Sequence, residues 1–141
     1  DDMLWSIDPK NDSMEKLLIR LKQYTEGFNN TYGTHIELTA DKNVQQLQMN
    51  MKCRYEFMHF FKEALNYAIQ QSACSTLYIG MEYAKPKLYL KILAQCLQVQ
   101  TEDVEAQQSR REMEKRADLL QGNLEVMEDK KSISIILQFG V

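Results

Sequence analysis

A chain of 141 residues with 44% apolar side chains can bury one core and is about the size of one ordinary domain. Its net charge of −3, with lysines and arginines scattered among acids, carries no phosphate-backbone footprint and argues against a nucleic-acid partner. No apolar run approaches the roughly 20 residues of a membrane span and no basic-then-apolar leader opens the chain, so no membrane contact is expected of this segment.

Trp5-Ser6-Ile7-Asp8-Pro9 comes first; proline disfavours helix at the residue before it, and Asp12 with Glu15 three residues on reads as a helix-capping pair. Met14, Leu17, Leu18, Leu21, Tyr24 and Phe28 recur at helical spacing and predict a first helix that ends between Gly27 and Gly33. Residues 35–38 alternate weakly and predict a short strand. From Met51 to Ser72 a second helix carries an apolar stripe of Met51, Tyr55, Met58, Phe61, Leu65 and Ile69, so it should face a core. The period then changes. Residues 76–83 and 88–93 are rich in β-formers and flank Ala84-Lys85-Pro86-Lys87, which predicts a hairpin. A polar stretch, 101–112, leads into a third helix through Met113, Ala117 and Leu120, with Gly122 at its stop. Residues 124–128 and 132–139 predict a second strand pair around Asp129-Lys130-Lys131, with Ile133, Ile135, Leu137 and Phe139 alternating. The order implies a two-layer α/β (α+β) sandwich, three helices covering one face of a mixed sheet, as a single domain over residues 1–141.

Cys53, Cys74 and Cys96 are odd in number and lack Cys-x-x-Cys spacing, which argues against a disulfide framework or a zinc site and predicts buried or free thiols in a reducing cytoplasm. Asn-x-Ser/Thr matches at Asn11 and Asn29 matter only in a secreted protein. His35 and His59 read as surface or packing histidines rather than phosphoacceptors. The chain opens on Asp1-Asp2 rather than methionine and is read as the C-terminal piece of a longer protein.

Four segments in this order, DDMLWSIDPKNDSMEKLLIRLKQY, FKEALNYAIQQS, REMEKRADLLQGNLEV and the last alternating strand, resemble the ATP-binding domain of bacterial sensor histidine kinases. The resemblance covers nearly the whole chain. It implies the Bergerat-type histidine kinase ATPase fold, a parent family of protein histidine kinases in two-component signal transduction, and ATP with Mg²⁺ as the family's cofactors. In such a domain a Glu on the second helix works near the terminal phosphate, and an amide one turn later holds Mg²⁺ through its carbonyl oxygen.

Mapped onto this sequence, Glu63 fits the first role, but the amide position is Tyr67, a poor Mg²⁺ ligand. Asn66 is rotated by about 100° around the helix and does not stand in. Gln70 replaces a basic residue. Where an Asp-x-Gly-x-Gly loop should read adenine, the chain has Ala94, Cys96 and Gln98. Where glycines should let amides cradle phosphates before the third helix, it has Gln107, Ser109 and Arg110. Residues 97–106 correspond to the lid over the nucleotide.

These departures lead to an expectation of a degenerate nucleotide site, with Glu63 vestigial, no metal, and a regulatory or structural role. The implied partners are a kinase dimerisation stem or partner kinase and a response regulator. The implied setting is the cytoplasmic domain of an inner-membrane-anchored sensor. Two alternatives follow from the same resemblance: an active domain donating phosphate to an upstream histidine, or a protein-binding module related to anti-sigma kinases.

Overall fold

The computed structural model describes residues 2–72, 75–96 and 98–141. Helix α1 (Asp2–Ile7) and a 3-10 turn (Pro9–Asn11) precede α2 (Met14–Tyr32). The cap of α2 is Ser13, whose Oγ accepts the Lys16 N–H at 3.3 Å, rather than Asp12. Asp12 ends the 3-10 turn and directs its carboxylate to Arg54 at 3.1 Å, so a long-range ion pair takes the side chain that the local pattern assigned to capping. α2 stops where Gly33 adopts left-handed backbone, φ 67°, and returns its N–H to the Asn29 carbonyl.

Strand β1 (His35–Ala40) and the short α3 (Lys42–Gln45) lead to α4 (Met51–Ser72), then to β2 (Thr76–Ala84), β3 (Lys87–Gln95), α5 (Val104–Leu119), β4 (Asn123–Glu128) and β5 (Ser132–Gly140). The five strands form one mixed sheet in the order β1-β2-β3-β5-β4, with β1 parallel to β2 and the other pairs antiparallel. Register places Leu38, Ile79, Ile92, Ile135 and Val126 in one row across all five strands. That row faces the helices. On the opposite face the neighbouring row includes Tyr78, Leu93 and Met127, 43%, 38% and 54% exposed, so the sandwich has two layers, as the alternating strands require.

α4 is the central helix. Its apolar stripe is wider than the periodicity implied, because Phe57, Phe60, Ala64, Tyr67 and Ala68 are buried along with Met58, Phe61 and Leu65. One side meets the sheet, where the Phe57 ring lies 5.6 Å from that of Phe139 and tilted 45° to it, and another meets α2, where Tyr24 lies 6.4 Å from Phe61. Each fully buried side chain of this size is worth about 1.5–3 kcal/mol relative to exposure. Met51 departs from the expectation: at the helix start it is 50% exposed, at the edge of a cleft that Ile7 and Pro9 also line.

α5 begins inside the stretch read as a polar lead-in. Asp103 caps it, with its carboxylate accepting the Ala106 N–H at 2.8 Å. The first buried positions are Ala106 and Ser109, too small to show as an apolar stripe. At the other end the left-handed residue is Gln121, φ 54°, rather than Gly122; the Gly122 N–H reaches the Ala117 carbonyl and the Gln121 N–H the Asp118 carbonyl, a Schellman ending. Gly122 serves packing instead, since a Cβ there would sit 2.8 Å from the Gln138 carbonyl oxygen.

The cysteine expectation is corrected in part. Cys96 is disulfide-bonded, which sequence spacing does not exclude when the fold brings distant residues together. Cys53 is free, and burial pushes its thiol up to about 11. Cys74 lies outside the described residues.

Candidate functional site

Glu56, His59, Glu63, Tyr67 and Gln70 recur at three- and four-residue steps along α4, which brings them to one helix face, and α5 answers them with Arg116, Glu112, Arg110 and Ser109. Arg116 bridges Glu56 at 3.0 Å and Glu112 at 3.1 Å. The Nε2 of His59 is 3.9 Å from a carboxylate oxygen of Glu63 and of Glu112, near each but hydrogen-bonded to neither. At the far end the Ser109 hydroxyl donates to Gln70 Oε1 at 3.3 Å. Polar pairs therefore close the line between the two helices.

Tyr67 is the centre of this seam. It is 0% exposed, and a buried phenol must find partners for its hydroxyl. The Tyr67 hydroxyl lies 2.6 Å from Glu102 Oε1 and also donates to Glu128, while Arg110 Nη1 donates to the phenol oxygen at 3.2 Å and to Glu102 at 2.9 Å. A phenol has one proton, so it serves one carboxylate at a time, and Arg110 supplies the other donors. Burial first, then the two carboxylates, holds the Tyr67 ionisation above the ordinary phenol value, so the hydroxyl stays protonated. The hydrogen bond from Tyr67, then Arg110, holds the Glu102 carboxyl below the usual range.

Residues 98–103 cross this cluster as a strap between β3 and α5. The Cys96 and Val99 amides donate to the carbonyls of Lys131 and Lys130, at 2.8 and 2.9 Å. The Gln100 amide donates to the Gln71 carbonyl at 2.8 Å, and Gln71 Nε2 returns a hydrogen bond to the Gln100 carbonyl.

A scan against protein-family models and a search of curated proteins give no match. Solved structures do match. The histidine kinase AdeS of Acinetobacter baumannii superposes with a TM-score of 0.70 at 14% identity, over 92% of this chain and 65% of its own. The nucleotide-free catalytic domain of the histidine kinase ThkA gives 0.66 at 10% identity, over 91% and 93%. The histidine kinase domain of the Erythrobacter litoralis EL346 blue-light activated kinase gives 0.67 at 11% identity, over 88% and 60%. The fold is that of a histidine kinase ATP-binding domain. The chain spans about two-thirds of the AdeS structure and less of the Erythrobacter one.

Within this histidine-kinase-like fold the residues expected around a nucleotide fall into separate places. Glu63 and Asn66 line a cavity of about 290 Å³ with Asp2, Tyr24, Tyr55, His59 and Lys62. Tyr67, Gln70, Ser109 and Arg110 lie in the α4–α5 seam. Ala94 is fully buried on the helix-facing side of β3, paired with Leu77 and Ile133. Gln98 and Gln107 are exposed, and Cys96 is held in its disulfide. Gln107, Ser109 and Arg110 lie within α5 rather than ahead of it, because Asp103 starts the helix earlier than the polar composition suggested. The 97–106 stretch divides accordingly: 98–103 form the strap, 104–106 are the first turn of α5, and Leu97 lies outside the described residues.

Sequence reasoning missed Glu102 and Glu128. The presence of Tyr67 on a core-facing helix signals that an acceptor must exist, but 20 acidic residues are candidates and only tertiary placement selects among them. Among the described residues, no group of three or more His, Cys, Asp or Glu side chains is placed to hold a metal ion, and no helix is long and apolar enough to cross a membrane.

Proposed function

We propose that the chain is a non-catalytic, histidine-kinase-like ATPase domain of two-component signal transduction, a pseudo-enzyme that packs against a kinase helical stem, its own or a partner's, and transmits conformation without binding or hydrolysing ATP. On this reading residues 1–141 are one domain of a longer sensor protein, lying on the cytoplasmic side, and a response regulator is a further partner.

The observation that carries the reading is Tyr67, wholly buried and saturated by Glu102, Glu128 and Arg110 at the position where the resembling family holds its metal amide. Mg²⁺ demands oxygen ligands at about 2.0–2.1 Å in octahedral geometry, which a protonated phenol already engaged by three side chains does not supply. Ala94 offers adenine no acceptor. The Ala106 amide is taken by the Asp103 side chain and the Gln107 amide by its carbonyl, so the amides an anion would seek at the start of α5 are already engaged. These residues do not fit Mg·ATP.

Titration calorimetry of the purified chain with Mg·ATP up to millimolar concentration tests the proposal. The expected result is no saturable heat. A dissociation constant below about 100 μM, some −5.5 kcal/mol, overturns it.

A further inference from the structure

We propose that residues 98–103 form a latched strap, held shut by one clasp of Glu102 between the Tyr67 hydroxyl and Arg110, and that releasing the clasp uncovers the C-terminal end of α4 while the sheet stays folded. The proposal deepens the reading of Tyr67 as an internal occupant and rests on it for the meaning of the uncovered surface.

Three observations carry it. None of residues 98–103 is fully buried: Val99, their one apolar side chain, packs only partly against the core, and the other ties are hydrogen bonds and the Glu102–Arg110 ion pair. Those at Val99 and Gln100 join neutral groups, and the Asp103 carboxylate turns back on the Ala106 amide of α5, whereas Glu102 supplies the charge-assisted contact that reaches across to α4, 2.9 Å from Arg110 and 2.6 Å from the Tyr67 phenol oxygen. Beneath the strap Gln71 is 2% exposed, yet its Oε1 has no hydrogen-bond partner, a penalty of the shut state that water would relieve on opening. An element with few buried contacts, fixed at its roots by the disulfide of Cys96 and by the start of α5, is the kind that opens locally ahead of global unfolding. The switch would thus be a surface of α4, including Tyr67 and Gln71, presented or hidden by one ion pair.

Amide hydrogen exchange on the whole chain tests this. In Glu102→Ala the Val99 and Gln100 amides should exchange roughly tenfold faster than in the wild type, the factor that accompanies loss of one charge-assisted hydrogen bond, while Ile92 and Ile135 in the sheet keep their rates. Tyr67→Phe, which keeps the ring, should act in the same direction. Unchanged strap exchange in both variants, or equal acceleration in strap and sheet, overturns the latch. Repeating the Glu102→Ala measurement with millimolar Mg·ATP separates the two proposals. If the nucleotide slows strap exchange again, the latch stands and the non-binding reading falls; no effect of nucleotide upholds both.

Discussion

Replacing Tyr67 by asparagine restores the amide that the resembling family places one turn after Glu63, and asks whether that residue alone separates this fold from a nucleotide site. The structure predicts damage without gain. The ring is 0% exposed within the core, and truncating a buried aromatic side chain costs about 3–5 kcal/mol. Asparagine keeps part of the volume and can offer its amide hydrogens to Glu102 and Glu128, so the lower end, about 3 kcal/mol, is expected. For a chain of this length that corresponds to a fall in Tm of roughly 10 °C. Melting followed by circular dichroism, with and without millimolar Mg·ATP, reads both halves of the prediction. A ligand present at a hundred times its Kd raises stability by about 2.7 kcal/mol, enough to return most of the lost Tm. No such return is expected, because Ala94 still lacks an acceptor and the first turn of α5 is still capped by Asp103. A nucleotide-dependent recovery of Tm in Tyr67→Asn would refute the argument, since one side chain would then have been gating an otherwise complete site.

Two further outcomes follow from the packing. Glu102 is held below the usual carboxyl range by Tyr67 and then Arg110, and at Asp2 the hydrogen bonds from Lys62 and Arg20 outweigh the upward push of burial. Both groups bind protons less readily folded than unfolded, so their contribution is present above the unfolded carboxyl values of about 4 and is lost as pH falls below them; urea midpoints that stay level from pH 5 down to pH 3 would contradict this. At the end of α5, Gly122→Ala should cost about 1–3 kcal/mol, because the added Cβ meets the Gln138 oxygen at 2.8 Å, while Gln121→Gly, at φ 54°, should gain about 1 kcal/mol by removing left-handed strain; thermal melting that ranks the two variants the other way would refute the assignment.

The parts of the fold legible in the sequence are those where large apolar side chains mark the period. Met51–Ser72 could be bounded because Met58, Phe61 and Leu65 recur at helical spacing, and β5 because four apolar residues alternate from Ile133 to Phe139. The start of α5 was illegible for the complementary reason: its buried face there is Ala106 and Ser109, and close helix approach requires small side chains that carry no hydrophobic signal. α1 and α3, of six and four residues, are too short for a period to show.

The candidate site was legible as a substitution and illegible as a structure. Tyr67 could be recognised as out of place beside Glu63, yet its partners stand 35 and 61 residues away, and no local pattern links them. The physics that joins them runs in one direction. Helical register turns position 67 inward, so a phenol placed there loses water and must donate to an acceptor. Glu102 and Glu128 meet that need from the strap and from the end of β4, but two carboxylates about one hydroxyl repel each other unless a cation is near. Arg110, on the facing helix, supplies it and contacts both the phenol and Glu102. Each member therefore answers a cost created by the one before it, and removing any single member leaves a buried polar group or an unbalanced charge. That mutual dependence is why reversing the substitution at Tyr67 alone is expected to unsettle the seam before it creates a place for a metal ion.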